Sequence, residues 1–142
     1  MATKTLDISL IRYLNLFEKI TQVRTDSCFT FNNIMFFAVP KNLIYKAVGE
    51  KGMNIKKLSE ILGKRIKVIG MPDQTNPQDI NKFILDMVNP IQPKGIEITD
   101  NEIIITAGNK ISKASLIGRD KQKLNDLEKI AKDWFGKALK II

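Results

Sequence analysis

Two glycines three positions apart frame a short polar segment in the first half of the sequence, Gly49-Glu50-Lys51-Gly52. Glycine lets a backbone approach another group very closely, and the amides at the start of a following helix favour an anion. Lys51 adds a positive charge within the segment. The combination suits a phosphate group of a nucleic-acid backbone, although glycines at this spacing also occur in plain helix–turn–helix corners.

A related segment, Gly118-Arg119-Asp120-Lys121, follows in the second half of the sequence. Lys121 replaces the second glycine, and a residue with a Cβ resists the positive φ that glycine adopts there. Asp120 places a negative charge where a phosphate would approach, and Arg119, Lys121 and Lys123 offset it in part. We therefore predict a second, weaker binding site formed by Gly118, Arg119, Lys121 and Lys123.

The residues needed for common catalytic and metal sites are scarce. The sequence has no histidine and a single cysteine, Cys28. This composition excludes the Ser-His-Asp and Cys-His triads, an intramolecular disulfide and a cysteine-based zinc site. It contains no P-loop or dinucleotide-binding fingerprint either. We therefore expect a protein that is not an enzyme and that needs no cofactor or metal.

The positive charge is concentrated in the first half of the chain. The net charge is +8, and residues 1–70 hold 12 Lys and Arg against 5 Asp and Glu, whereas residues 71–142 hold 11 against 10. Such a basic half favours a polyanionic partner, either nucleic acid or an anionic membrane surface, unless it is merely a solvated surface. There is no apolar run of the roughly 18–20 residues that a membrane span requires, and no signal peptide. These features predict a cytoplasmic protein.

The sequence contains an internal repeat. When Gly49 is placed on Gly118, apolar residues coincide on both sides of the two glycine segments. Further along, Gly63 coincides with Gly136, which requires a shift of four residues. Four residues make about one helical turn, so the second copy should contain one longer helix.

Both copies show the same order of predicted elements, α-β-β-α-α-β. Apolar spacing indicates a first helix over 8–21, and Asn76-Pro77 is a typical helix start for the second copy. Asn32-Asn33 predicts a tight turn between two strands. The sequence therefore predicts an α+β protein with two domains, 1–70 and 71–142, each a three-stranded sheet covered by helices. The glycine segment of each domain lies between two helices.

A GxxG loop between two helices in an α-β-β-α-α-β unit resembles the bacterial-type (type II) KH domain. Two such units in tandem resemble the archaeal NusA-like transcription termination factors. The resemblance is carried by the first helix around Leu10–Glu18 and by the segments Ala47–Gly52 and Asn54–Leu58. It covers almost the whole chain.

The resemblance implies that the first domain binds single-stranded RNA. A KH domain holds about four nucleotides, with the phosphate backbone at the GxxG loop and the bases in an adjacent groove. The residues assigned to RNA binding in this way are the loop and groove positions Gly49, Glu50, Lys51, Gly52, Val48, Asn54, Ile55, Lys56, Arg65 and Lys67.

The resemblance also implies a role in transcription termination, antitermination or elongation. We expect a monomer. Two alternatives stay open. The tandem domains could serve chiefly as a protein-interaction module that docks on RNA polymerase. The groove could also accept single-stranded DNA in place of RNA.

Overall fold

The structure is a computed structural model that describes residues 8–142. These residues divide into two compact units, the first ending at Met71 and the second running from Pro72 to Ile142. Together they contain six α-helices and two three-stranded sheets. This mixed α+β architecture is compatible with two KH-like domains. Within residues 8–142, no helix combines the length and apolar character needed to cross a membrane.

The first unit is built on a mixed sheet. Its central strand β2 pairs antiparallel with β1 and parallel with β3. Because β2 and β3 run in parallel, the chain must cross over between them, and two helices make this connection. The elements are α1 (Ile8–Thr21), β1 (Cys28–Phe31), β2 (Ile34–Val39), α2 (Ile44–Val48), α3 (Met53–Leu62) and β3 (Arg65–Gly70).

The three helices of the first unit pack on one face of this sheet. Phe17 of α1 stacks on Phe37 of β2 with ring centroids 4.3 Å apart, and Ala47 of α2 and Leu58 of α3 are completely buried in the same cluster. At the β1–β2 turn, both Asn32 and Asn33 have positive φ, as a two-residue type I′ turn requires. The predicted turn is therefore confirmed.

The register of β2 and β3 determines which side chains face the helices. Val68 pairs with Phe37, so its side chain lies on the helix-covered face. Lys67 pairs with Phe36, and strand alternation therefore places both on the opposite face. There the ring of Phe36 stacks on Phe29 at 5.1 Å and is completely buried.

The second unit repeats this topology, with β5 central, antiparallel to β4 and parallel to β6. The side chain of Asn76 accepts a hydrogen bond from the amide of Gln78, which starts the first helix of the unit as predicted. The elements are α4 (Pro77–Val88), β4 (Gly95–Ile98), β5 (Glu102–Thr106), α5 (Lys110–Ile117), α6 (Gln122–Phe135) and β6 (Ala138–Ile141). Helix α6 has 14 residues against 10 in α3, which confirms the predicted longer helix.

Candidate nucleic-acid interface

The first loop, Gly49–Gly52, joins α2 to α3 through a single 3₁₀ turn. The Gly49 amide donates to the carbonyl of Tyr45 at 2.9 Å and closes α2, while the Gly52 amide donates to the carbonyl of Gly49 at 3.0 Å. All three of Gly49, Lys51 and Gly52 have positive φ, at 82°, 55° and 74°. The loop therefore has a sharply defined backbone shape, with α3 beginning directly after it.

The side chain of Asn54, which lies outside the first loop, stabilises the backbone shape of the loop. Asn54 donates through Nδ2 to the carbonyl of Lys46 at 3.2 Å and thereby links α3 to the end of α2. A Cβ on Gly49 would lie 2.9 Å from Cγ of Asn54 and 3.0 Å from its backbone nitrogen. Gly49 is thus required both by its φ and by this close approach. Asn54, predicted to bind RNA, is engaged within the protein here.

The outer side of the first loop is open to a ligand. Glu50 and Lys51 are exposed. Within the turn, the amides of these two residues precede its first hydrogen bond and so have no acceptor there, which leaves them suited to an anion. A Cβ on Gly52 would meet no heavy atom of the described residues within 4 Å. A phosphate can therefore approach this loop closely.

A groove lies between α3 and β3, and it runs from Ile55, three residues after the first loop, to Gly63 at the end of α3. It has a volume of about 630 Å³. Apolar surface comes from Ile55 and from Ile66 on β3, and polar groups come from both walls. The lining residues are Ile55, Lys56, Ser59, Glu60, Gly63, Arg65 and Ile66.

The structure brings together some of the predicted site residues and separates others. Ile55, Lys56 and Arg65 line the groove between α3 and β3. Val48 is half-buried at the end of α2 and does not line it. Lys67 lies on the sheet face opposite the helices and does not line it either. Strand alternation puts Arg65 on the same face as Lys67, but Arg65 is the first residue of β3 and lines the groove. A strand alternates its side chains between faces, and only the strand register reveals which face a given lysine occupies.

The second loop, Gly118–Lys121, has almost the same backbone conformation as the first. Gly118 has φ 77° and ψ 175°, against 82° and 164° at Gly49. Asp120 adopts φ 54° and ψ 29°, and Lys121 adopts φ 60° and ψ 23°. Lys121 therefore adopts the positive φ that a residue with a Cβ resists. Lys121 occupies the left-handed region at an energetic cost, because the following helix and the turn hydrogen bonds require it.

Lys123 supports the second loop as Asn54 supports the first. Its Nζ donates to the carbonyl of Ser115 at 3.2 Å, and a Cβ on Gly118 would lie 2.8 Å from its Cγ. Lys123 was predicted to contact RNA, but its charged group is directed to the end of α5. The sequence carries a signal for this role: in both copies, a residue whose side chain has a hydrogen-bond donor follows the first glycine by five positions.

The second unit also has a groove between its last helix and last strand. Its volume is about 360 Å³, and it is lined by Glu128, Lys132, Gly136, Lys137, Ala138 and Leu139. The amino group of Lys137 donates to the carbonyls of Thr99 and Asp100, in the turn between β4 and β5. The second groove is therefore smaller than the first, and one of its cations is already engaged.

The left-handed conformation of Lys121 leads to a stability prediction. A non-glycine residue in the left-handed region costs about 1–2 kcal/mol of folding free energy. Glycine removes this cost but loses roughly 0.4–1 kcal/mol of stability, because it gives the unfolded chain more conformational freedom. We expect Lys121→Gly to stabilise the protein by about 0.5–1 kcal/mol, measured as a higher urea midpoint with unchanged m-value. The control Lys129→Gly, on the exposed side of α6, should destabilise it by about 1 kcal/mol. Destabilisation by Lys121→Gly would contradict the assignment.

Comparisons with known proteins give distant similarities. No family model matches the chain. The "Probable transcription termination protein NusA" of Halococcus morrhuae is 21% identical over 133 residues, which cover 92% of each chain. The protein of the same name from Methanocaldococcus jannaschii is 32% identical over 92 residues, covering 65% of this chain and 48% of that protein. The similarity to that protein thus spans about half of its length.

A solved structure shares the fold. The crystal structure of APE1850 superposes with a TM-score of 0.63 at 24% sequence identity, covering 96% of this chain and 100% of that chain. The chain is therefore distantly similar to archaeal proteins named NusA, and it has the fold of APE1850.

Proposed function

We propose that this chain binds single-stranded RNA through the first loop and the groove between α3 and β3, as a tandem pair of type II KH domains acting in transcription. The observation that carries the proposal is the exposed first loop. Its two leading amides have no acceptor within the turn, and Lys51 adds a positive charge. Together these groups offer a phosphate two backbone donors and a cation in one small area.

The groove suits the bases that would follow such a phosphate. The half-buried Ile55 provides apolar surface for the face of an unstacked base, while the exposed Glu60 and Arg65 can pair with base edges. Its volume of about 630 Å³ leaves room for more than one base. Single strands are favoured over duplexes because only an unpaired base can turn its edge into such a groove.

The role in transcription rests on the names of the two distant relatives, both of which are called transcription termination proteins. In this proposal the protein works in the cytoplasm as a binding protein without catalytic turnover. RNA emerging during transcription is its ligand, and RNA polymerase is a second partner. Termination and antitermination are both consistent with binding of this kind.

The proposal predicts an RNA affinity that weakens with salt. Contacts to about three to five phosphates give a slope of roughly −2 to −3.5 for the logarithm of the association constant against the logarithm of the salt concentration. The measurement is a fluorescence-anisotropy titration of a labelled 8-nucleotide RNA at several salt concentrations. Matched DNA and duplex RNA serve as competitors.

The outcomes separate the candidate functions. Stronger competition by single-stranded RNA than by DNA or duplex supports the proposal. Preference for the DNA oligonucleotide would favour the single-stranded DNA alternative. A slope near zero would show that the basic first half is only a solvated surface. Absence of RNA binding combined with retention on purified RNA polymerase would replace the proposal with a protein-interaction module.

A further inference from the structure

We infer that Tyr45 is a stacking residue for a base of the same RNA strand whose phosphate lies on the first loop. This inference rests on the proposed RNA-binding function and extends the site beyond the groove to helix α2, which precedes the loop. The side chain of Tyr45 is 93% exposed. Tyrosine usually packs its ring and leaves only the hydroxyl in water, so a ring exposed on both faces is available to a ligand.

The position of Tyr45 relative to the loop is set by a hydrogen bond. The Gly49 amide donates to the Tyr45 carbonyl at 2.9 Å, so Tyr45 lies one helical turn before the first glycine. Residues four apart share a helix face, and one turn rises about 5.4 Å. Tyr45 therefore lies on the face of α2 that leads into the loop, one helical turn before Gly49.

The face of α2 that carries Tyr45 is not part of a packed surface. Within Ile44–Val48, Ala47 is the one residue that is buried. On the far side of the loop, Met53 follows Gly52 directly and is 66% exposed. The first loop is thus bracketed by two exposed apolar side chains, which is the arrangement expected if bases lie on both sides of the bound phosphate.

The second unit also has an exposed apolar side chain on the helix before its loop, but this side chain lies three residues earlier than the position of Tyr45 and has no ring. Ile111 of α5 is 81% exposed and precedes Gly118 by seven residues, two turns along the same helix face. The residue four before Gly118, at the position of Tyr45, is Ala114. An aliphatic side chain offers no ring on which a base can stack, so the inference applies to the first unit alone.

The charges around Tyr45 favour a nucleic acid over an apolar protein surface. Lys46, the next residue, and Lys51 in the loop are both exposed, against one exposed carboxylate, Glu50. An exposed aromatic ring with cations nearby in the sequence combines stacking with attraction of the backbone, as in proteins that bind single-stranded nucleic acid. An apolar protein partner would instead have to desolvate both lysines. The occupant we assign is therefore a base of the RNA strand.

The test compares Tyr45 variants on an 8-nucleotide RNA and on versions of it with one abasic site. We expect Tyr45→Ala to weaken binding of an 8-nucleotide RNA at least fivefold, Tyr45→Phe to stay within twofold of the wild type, and Tyr45→Leu to resemble the alanine variant. Ile11→Ala, at a half-exposed position of α1, is the control for loss of surface apolar area. We also place one abasic site at each position of this RNA in turn. At the position whose base stacks on Tyr45, Tyr45→Ala should cause no further loss of affinity.

The outcomes distinguish this inference from the function on which it rests. Tyr45→Ala within twofold of the wild type, in a protein whose RNA affinity falls with substitutions in the first loop, overturns the inference and leaves the function intact. Equal losses for the phenylalanine and alanine variants overturn stacking as well, because phenylalanine keeps the ring. A wild-type protein that binds no RNA overturns both. Thermal unfolding of each variant checks that the fold is unchanged, as the exposure of Tyr45 predicts.

Discussion

A double substitution in the first loop, Glu50→Asp with Lys51→Asp, is expected to lower the affinity for short single-stranded RNA tenfold or more, about 1.4 kcal/mol. It replaces the Lys51 cation with a carboxylate and shortens the carboxylate already present at position 50, beside the amides where a phosphate would bind. The fold should tolerate the change, because the second loop already holds Asp120 at φ 54° and ψ 29°, against 55° and 26° at Lys51. The measurement is an anisotropy titration at fixed salt.

The corresponding variant is Arg119→Asp with Lys121→Asp in the second loop, which reverses two cations where the first variant reverses one. We expect its loss of binding free energy to be at most one third as large. Since the two backbones have nearly the same shape, the difference must come from side chains. The space beside Gly52 is open among the described residues, whereas Lys121 has a side chain there and Asp120 adds a negative charge. Equal losses, or a larger loss in the second loop, would make that loop the main RNA site.

Substitution of the first glycine should have the largest effect on stability. Gly49→Ala is expected to destabilise the protein by about 2–4 kcal/mol. The backbone at φ 82° and ψ 164° lies in a region that is essentially restricted to glycine and costs other residues about 1–3 kcal/mol. The added Cβ would also press on Asn54 at 2.9 Å and disturb its hydrogen bond to Lys46, worth about 0.5–1.5 kcal/mol. Urea unfolding measures the change.

Gly52→Ala is the control for this second prediction. Gly52 lies in the left-handed region with open space around it, so alanine should cost only about 0.5–1 kcal/mol once the reduced freedom of the unfolded chain is included. Its effect on RNA should nevertheless be clear, because the methyl group enters the space that we assign to a phosphate. If the two alanine variants unfold at the same urea concentration, the support of the first loop by Asn54 is not what makes Gly49 necessary.

Local signals in the sequence were sufficient for most of the fold. The helix that ends at Thr21, the turn at Asn32 and Asn33, and the helix start at Asn76 each depend on neighbouring residues, and the structure confirms all three. The extra helical turn of α6 was visible from the change in repeat spacing. Periodicity, capping residues and turn residues act over a few positions, which is why they can be identified in a single sequence.

The candidate site was harder to predict from the sequence than the fold, because its details depend on contacts between elements. The side of β3 on which Lys67 lies follows from its pairing with β2, far away in the sequence. The roles of Asn54 and Lys123 follow from carbonyl groups eight residues earlier. The conformation of Lys121 contradicts the intrinsic preference of the residue, and the surrounding turn overrides that preference. The exposure of Tyr45 likewise depends on how α2 packs in the folded unit.

The support of each loop by a residue outside it has a consequence for how a duplicated protein can diverge. Asn54 and Lys123 differ in length and charge, yet each donates to the carbonyl eight residues earlier and lies against the first glycine of its loop. The exposed positions of the loop are therefore free to change without loss of its backbone shape. After duplication, one copy could keep its ligand while the other accumulated new charges on an unchanged scaffold. Because its backbone shape does not depend on the exposed side chains, the second loop is suited to the engineering of new ligand specificities.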